Sequence, residues 1–548
     1  MKVSDISDMW WKTAVFYNLN VGSYLDWNDD GTGDFEGLSH RLDYLGELGV
    51  TCLWLAPFYP SPRADNGYDI ADYFGVDPRY GDLGDFVEVV RTAHERGMRV
   101  IVDLVVNHTS DAHPWFQSAR QSRDSPYRDF YIWRDEPPED QRASMFPDAE
   151  DGVWFYDEAA GQYYEHSFYR HQPDLNTANP KVREAIAKVI GFWLQIGVDG
   201  FRVDAVPFLI DNGGENEHEY LQAIRTFVGR RNGAGALLGE VNLPYDKQIA
   251  FFGDEDGDEL TMQFDFVANQ RLYLSLARED AGPLVEALRA RPQLARTNQW
   301  ANFVRNHDEL TLDQLSEDER NEVFEAFAPE ESMRIHGRGI VRRLPPMLGG
   351  DPRWIRMVYS LTFSLPGAPV LYYGEEIGMG EHPTLPGRAA VRTPMQWADS
   401  PNGAFSGADA DDLPHPLVSG GFSAEHINVS AQLHDPESMF HFVRQLVAAY
   451  AISPEIGWGD FEILPQPHAC VLVHSLQGSM GRLIALHNFA PDGRKVTVTL
   501  DDTDESTRAI DLLGNETYLL DDGVLNVTLD GFGYRWIRIA RTGDKRLL

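Results

Sequence analysis

Gly200-Phe201-Arg202-Val203-Asp204-Ala205 decides how the rest of this sequence is read. Apolar residues flank one cation and one carboxylate, two positions apart. Side chains of a strand alternate between its faces, so Arg202 and Asp204 leave on the same side. A helical pattern over 182–196 precedes this run. Another over 220–230 follows it and leads to an apolar run over 235–241. Upstream, a helical pattern over 38–48 leads to a strand over 50–58, and one over 86–96 leads to a strand over 99–106. Apolar runs at 301–304 and 368–373 follow later helices. Repeated units of this kind predict an α/β fold, a parallel sheet closed as a (β/α)8 TIM barrel. Active groups of such barrels sit at the C-terminal ends of strands, where Arg202 and Asp204 would emerge together. There the arginine is expected to orient the carboxylate and hold it ionised.

The alternation lapses over 107–176, a stretch rich in Asp, Pro, Tyr and Trp, which reads as a subdomain inserted after strand 3. An irregular stretch over about 374–428 follows the last barrel strand. Beyond it, short β runs at 470–475, 483–488 and 495–500 predict a C-terminal antiparallel β-sandwich domain. The expected division is barrel at 1–106 and 177–455, insertion at 107–176, and sandwich at 456–548.

With 43% hydrophobic and 12% aromatic residues, the 548-residue chain can bury a large core. Its formal charge of −38 argues against a nucleic-acid partner, which calls for clustered Lys and Arg. Two distant cysteines, Cys52 and Cys470, imply no disulfide framework. The first residues lack a basic start followed by a long apolar stretch, and no window has the length of a membrane helix. A cytoplasmic enzyme, with no membrane partner, is the expectation; homo-oligomerisation is left open.

Four polar clusters lie at the ends of expected barrel strands: Asp103-Leu-Val-Val-Asn107-His108, the Arg202–Asp204 run, Leu238-Gly-Glu240-Val-Asn242 and Phe303-Val-Arg-Asn306-His307-Asp308. A retaining glycosidase needs two carboxyl groups on one sugar carbon, one as nucleophile and one as acid. Acids ending strands four, five and seven suit that chemistry.

With these four clusters in this order, the chain resembles glycoside hydrolase family 13, the α-amylase family. A fifth run, Gln172-Pro-Asp-Leu-Asn176, is similar to the form in its oligo-1,6-glucosidase and trehalose synthase branch. The resemblance implies Asp204 as nucleophile, Glu240 as general acid and base with a raised pKa, and Asp308 as the third acid gripping sugar hydroxyls. It makes His108 and His307 hydroxyl binders and stacks Tyr68 on the apolar face of the terminal glucose. It also pairs Asp65, in Asp65-Asn-Gly-Tyr68, with Arg392, in Val391-Arg-Thr-Pro-Met-Gln-Trp397, so that the pocket is closed behind that glucose. A small disaccharide is then the expected partner.

Asp26, Asn28, Asp30, Thr32 and Asp34 put oxygen donors at positions 1, 3, 5, 7 and 9 of a loop with Gly31 at 6. That is the spacing of an EF-hand calcium loop, although Gly37 stands where the bidentate Glu would be. The loop resembles the calcium loop after the first strand in the oligo-1,6-glucosidase branch. A structural Ca2+ is therefore expected, and resemblance to the trehalose synthases implies a second, weaker site at Asn107, Asp174 and Asp211. No organic cofactor is expected.

Stretches such as 57–62, 305–311 and 391–397 resemble the trehalose synthases, which isomerise maltose to trehalose. Arg142, Asn242 and Glu309 match positions that help to close the site there. Two runs depart from that pattern, Gly239-Glu-Val-Asn-Leu-Pro244 and Pro386-Gly-Arg-Ala-Ala390. Both lie near the expected place of the second glucose, which leaves an α-glucosidase or a transglucosylase as the alternative.

Overall fold

A computed structural model describes residues 9–540, except 140, 212–217, 256, 479–480, 502, 504–506 and 515 and the side chains of 210 and 211. Eight parallel strands close into a barrel: β1 (Phe16–Leu19), β2 (Cys52–Leu55), β3 (Arg99–Leu104), β4 (Gly200–Val203), β5 (Ala236–Gly239), β6 (Met262–Phe264), β7 (Gln299–Phe303) and β8 (Ala368–Tyr372). β1 closes the ring by pairing with both β2 and β8. Because helices cover the outside, both faces are buried and the strands read as near-continuous apolar runs. Phe16, Trp54, Leu238, Phe264, Phe303 and Val370 fill the interior. Phe201, Val203, Leu53 and Val100 point outward into the larger core under the helices.

The opening run shows how local chemistry sets this arrangement. The helix before it, Pro180–Ile196, starts where Asn179 caps the Lys181 N–H and Pro180 takes the first turn. It stops at Gly197, whose φ of 117° other residues resist. Gly200 then begins β4 because a Cβ there would lie 2.3 Å from the Ala236 carbonyl oxygen. In register, Arg202 lies across from Asp103 of β3 and Leu238 of β5.

β1 and β6 have no clear signal in the sequence. β6 is three residues long, shorter than the window in which a periodicity can be recognised, and β1 has no amphipathic helix before it to mark its start.

Between β3 and helix Pro180–Ile196 the chain forms a three-stranded antiparallel sheet, Trp133–Arg134, Gln162–Glu165 and Trp154–Asp157, with Gln162–Glu165 in the middle. The segment leaves and returns at one place. The Leu175 N–H donates to the Asn107 carbonyl at 2.8 Å, and His108 forms a β-bridge with Asp174. After β7 comes a small sheet of Leu310–Thr311, Arg334–Ile335 and Gly339–Ile340. Between β8 and helix Val429–Leu433 the described elements are short 3-10 turns. A six-stranded antiparallel sheet starting at Asp460–Leu464 packs with the pair Arg494–Thr499 and Val524–Leu529 around an apolar core of its own. Among the described residues no helix is long and apolar enough to cross a membrane.

Candidate active site

The barrel interior delivers Arg202, 1% exposed, into a cluster of three carboxylates. Its Nη1 donates to Asp103 Oδ1 at 2.6 Å and to Asp204 Oδ1 at 2.5 Å, and its Nη2 reaches Glu240 Oε2 at 2.7 Å. Asp204 and Glu240 each lie one residue beyond their strands, β4 and β5. Backbone helps to fix the pair. Ala205 has φ 47°, and its N–H donates to Glu240 Oε2 at 3.2 Å. Asp103 also accepts from the indole N–H of Trp54 at 2.7 Å, so it serves as a buried anchor beneath Arg202.

Asp308 enters from beyond β7. Its Oδ1 accepts from Arg388 at 3.0 Å and from Arg392 at 2.8 Å, and its Oδ2 lies 3.2 Å from His307 Nε2. His307 Nε2 is also 2.6 Å from the Tyr68 hydroxyl, and the two rings lie 9° from parallel. His108 is buried, with Nε2 3.2 Å from the Tyr68 carbonyl. The Tyr68 hydroxyl also lies 3.4 Å from Asp103 Oδ1, which joins Tyr68, His307 and Asp308 to Arg202, Asp204 and Glu240 in one constellation.

One expectation is corrected. Asp65 does not pair with Arg392. Its Oδ2 accepts from the Gln172 amide at 3.0 Å, while Arg392 donates to Asp308 and, at 2.7 Å, to the His307 carbonyl. Asp308 stands nearer and already carries a second arginine. That second cation, Arg388, has no assigned role in the sequence reading. It also donates through Nε to Glu309 Oε2 at 2.6 Å. Its only signal in the sequence is a lone arginine four positions before Arg392.

The three expected closing residues do not converge on each other. Glu309 lies beside Asp308, tied to Arg388. Asn242 donates to Asp313 at 3.1 Å. Arg142 donates to Ser167 at 2.6 Å and lies 3.4 Å from Asp174, within the insertion. Another set of contacts ties the insertion to the barrel. The Arg338 guanidinium donates to the Met145 carbonyl at 2.8 Å, and the His336 N–H to Asp148 at 2.7 Å. The Phe146 ring sits 4.7 Å from His336 and 5.1 Å from the Arg388 guanidinium. The insertion is thereby fastened to the segments after β7 and β8.

The α-amylase catalytic-domain model matches residues 21–328 and 342–456. The chain belongs to the α-amylase family. A sucrose hydrolase-like C-terminal domain matches residues 481–538. A trehalose synthase of Pimelobacter sp. is 40% identical over 97% of this chain and 96% of its own. An oligo-1,6-glucosidase of Parageobacillus thermoglucosidasius is 31% identical over 88% of this chain and 91% of its own. The crystal structure of the trehalulose synthase MutB from Pseudomonas mesoacidophila aligns with TM-score 0.77 at 27% identity, covering 97% of this chain and 99% of that one. As a member of the α-amylase family, the chain is an enzyme that acts on glucosides.

For an α-amylase family member the charge states matter. Burial pushes Asp204 up, and Arg202 only partly offsets it, leaving a pKa of about 6. Desolvation outweighs the arginine and raises the value, yet the acid stays ionised at neutral pH, as expected. Glu240 is also raised, by burial first, against Arg202 and with Asp204 and Asp308 adding to the rise. Asp308 goes the other way. Burial opposes its ionisation, but Arg388, His307 and Arg392 together carry it well below the usual carboxylate range. If ionised Asp204 and protonated Glu240 are both needed, kcat/KM follows a bell. Its acid limb should fall by tenfold per pH unit below about 6, as Asp204 takes up a proton. Its alkaline limb follows loss of the Glu240 proton. A pH profile on a small α-glucoside checks this, and an acid limb near pH 4 would contradict it.

Among the described residues no three His, Cys, Asp or Glu side chains gather as a metal group. In the first loop the oxygens turn to their own backbone. Asp26 accepts from the Asp29 and Gly31 N–H groups, Asn28 from Asp30, Asp30 from Thr32, and Asp34 from Trp27 and Gly37. The donors remain hard oxygens around one turn, a chemistry that suits a divalent cation. The second set does not fit one. Asp174 accepts from Ser167 and from the Asn107 amide and has the Arg142 cation beside it, while the Asp211 side chain lies outside the described residues.

Proposed function

We propose that the protein is a retaining α-glucosyl-transferring enzyme that isomerises maltose to trehalose. The observation that carries this reading is Arg202 bridging Asp204 and Glu240 at the ends of neighbouring barrel strands. Retaining chemistry calls for carboxyl groups about 5–5.5 Å apart, and one guanidinium spanning both holds them at a separation of that order. Similarity to a trehalose synthase over nearly the full length of both chains supports the substrate.

In this reading Asp204 attacks C1 of the terminal glucose as Glu240 protonates the departing oxygen. The C1–O bond breaks, and a β-glucosyl-enzyme and free glucose remain. Asp308, held ionised, grips ring hydroxyls as positive charge develops at C1. Glucose then turns, its 1-OH gives its proton to Glu240 and attacks C1, and Asp204 leaves. Water must be kept out during the turn. Incubating the protein with maltose and following products by NMR tests this. Trehalose as main product supports it, and glucose alone refutes it in favour of a hydrolase.

The Phe146 seal carries a prediction. Phe146→Ala opens the junction between insertion and barrel, so the share of free glucose should rise several-fold while total maltose cleavage changes less. Product ratios by NMR measure this, and an unchanged ratio would rule out sealing by this ring.

Calcium in loop 26–34 is likewise our proposal, supported by five hard-oxygen side chains wound around Gly31 at φ 92°. The ion would hold the loop and take no part in the chemistry. Chelation should then lower the melting temperature, by about 2.7 kcal/mol of stability if calcium stands at 100 times its Kd. An unchanged melting curve would count against the ion. A cytoplasmic location is proposed on the two unpaired thiols, Cys52 and Cys470, and cell fractionation tests it.

A further inference from the structure

A cleft of about 440 Å³ lies between helix Pro352–Ser364, on the outside of the barrel, and the C-terminal sheet. None of the residues lining it belongs to the site described above. Its volume is in the range of small-molecule pockets, about 300–1,000 Å³.

The floor is aromatic and pre-formed. Phe532, itself buried, stacks on Trp354 with ring centroids 4.8 Å apart and planes 10° apart and carries the Arg353 guanidinium over its ring, so the partly buried Tyr534 beside it is the ring that faces the cleft. The turn carrying Phe532 is locked. Phe532 itself has φ 55°, and a Cβ on Gly531 would come within 1.7 Å of the Pro491 carbonyl oxygen. The Asn488 side chain donates to the Asp530 carbonyl and its backbone N–H to the Gly533 carbonyl, each at 2.9 Å. A floor fixed this way loses little conformational freedom on binding.

The rim carries three arginines, Arg353, Arg356 and Arg535, and three acids, Asp511, Glu516 and Asp530. Their formal charges cancel. An anion such as a phosphate would meet three carboxylates, and a cation three guanidinium groups. A neutral polyol avoids both conflicts. Its hydroxyls can accept from the N–H groups the arginines keep free of Asp351, the Glu437 carbonyl and Asp511, and can donate to the acids, while its C–H face can lie on the Tyr534 ring.

We propose that this cleft is a second saccharide site that takes a neutral glucoside of disaccharide size, apart from the catalytic pocket. The choice of glucoside rests on the proposed function; the cleft and its balanced rim do not. Because both the barrel and the C-terminal domain line the cleft, a bound sugar would also stabilise their contact.

Hydrogen–deuterium exchange of the full chain carrying Asp204→Asn, with maltose as probe and glycerol as control, tests the proposal. Maltose should slow exchange in 352–356 and 530–535 as well as around the catalytic residues. Titration calorimetry should give two sites per chain, and one when Arg356→Ala and Tyr534→Ala are added. In the chain with native Asp204, that double variant should keep its maltose turnover, with its melting temperature as the check on folding. Protection confined to the catalytic pocket, or one site in both proteins, would overturn the proposal. Protection by glycerol equal to that by maltose would overturn it too, as nonspecific. The two readings fail separately: cleft protection without turnover of any α-glucoside removes the proposed function alone, and turnover without cleft protection removes the second site alone.

Discussion

Asp204→Asn should lower turnover of maltose by at least about 10⁴-fold, the scale seen when a covalent nucleophile is removed. The fold should survive, because Arg202 still faces two carboxylates, Asp103 and Glu240. A second variant separates chemistry from positioning. Asp204→Gly leaves space beside C1, and added azide should attack from the vacated face to give β-glucosyl azide from an α-glucoside with a good leaving group. No azide product, together with residual turnover within tenfold of the unmodified protein, would remove Asp204 from the nucleophile's role.

The second large effect concerns Arg202 and appears in stability as well as rate. One buried guanidinium is shared by three carboxylates. Arg202→Met would leave them facing each other without a cation between them, a loss of about 3–5 kcal/mol by analogy with broken buried ion pairs. Some of that loss is recovered when an acid protonates, so the variant should be relatively more stable at low pH. Asp103 and Asp204, already raised to about 6 by burial with Arg202 present, should rise further without it. Raised acids bind protons in the folded state more readily than unfolded, so stability gained this way is lost as pH rises through the folded values. Melting curves at pH 5 and pH 8 test this, and a variant equally stable at both would contradict it. Arg202→Lys supplies a control: it keeps one charge but cannot bridge three groups.

Much of this arrangement could be read in the sequence because barrels repeat. Each apolar run after an amphipathic helix marks a strand, and polar residues at its end mark the functional face. Asp204, Glu240 and Asp308 stand out for that reason. What could not be read depends on contacts between distant segments. Nothing near Asp65 shows that Gln172 will occupy its carboxylate, or that Asp308 will capture both Arg388 and Arg392. The sign of the Asp204 shift was equally hidden. A neighbouring arginine is visible in the sequence, but the depth of burial that outweighs it is not. β6 was missed because Met262, Gln263 and Phe264 are too few to show a period.

The ends of the insertion, joined at Asn107–Leu175 and at His108–Asp174, make that segment a cassette. Its entry and exit occupy one spot on the barrel rim, so its length scarcely affects the strands on either side; closing a longer loop costs only about 0.6 kcal/mol per doubling. Evolution, or an engineer, could exchange residues 109–173 between relatives while leaving Arg202 and its three carboxylates untouched. What a glucosyl group is handed to could then drift quickly, while the means of detaching it stays fixed.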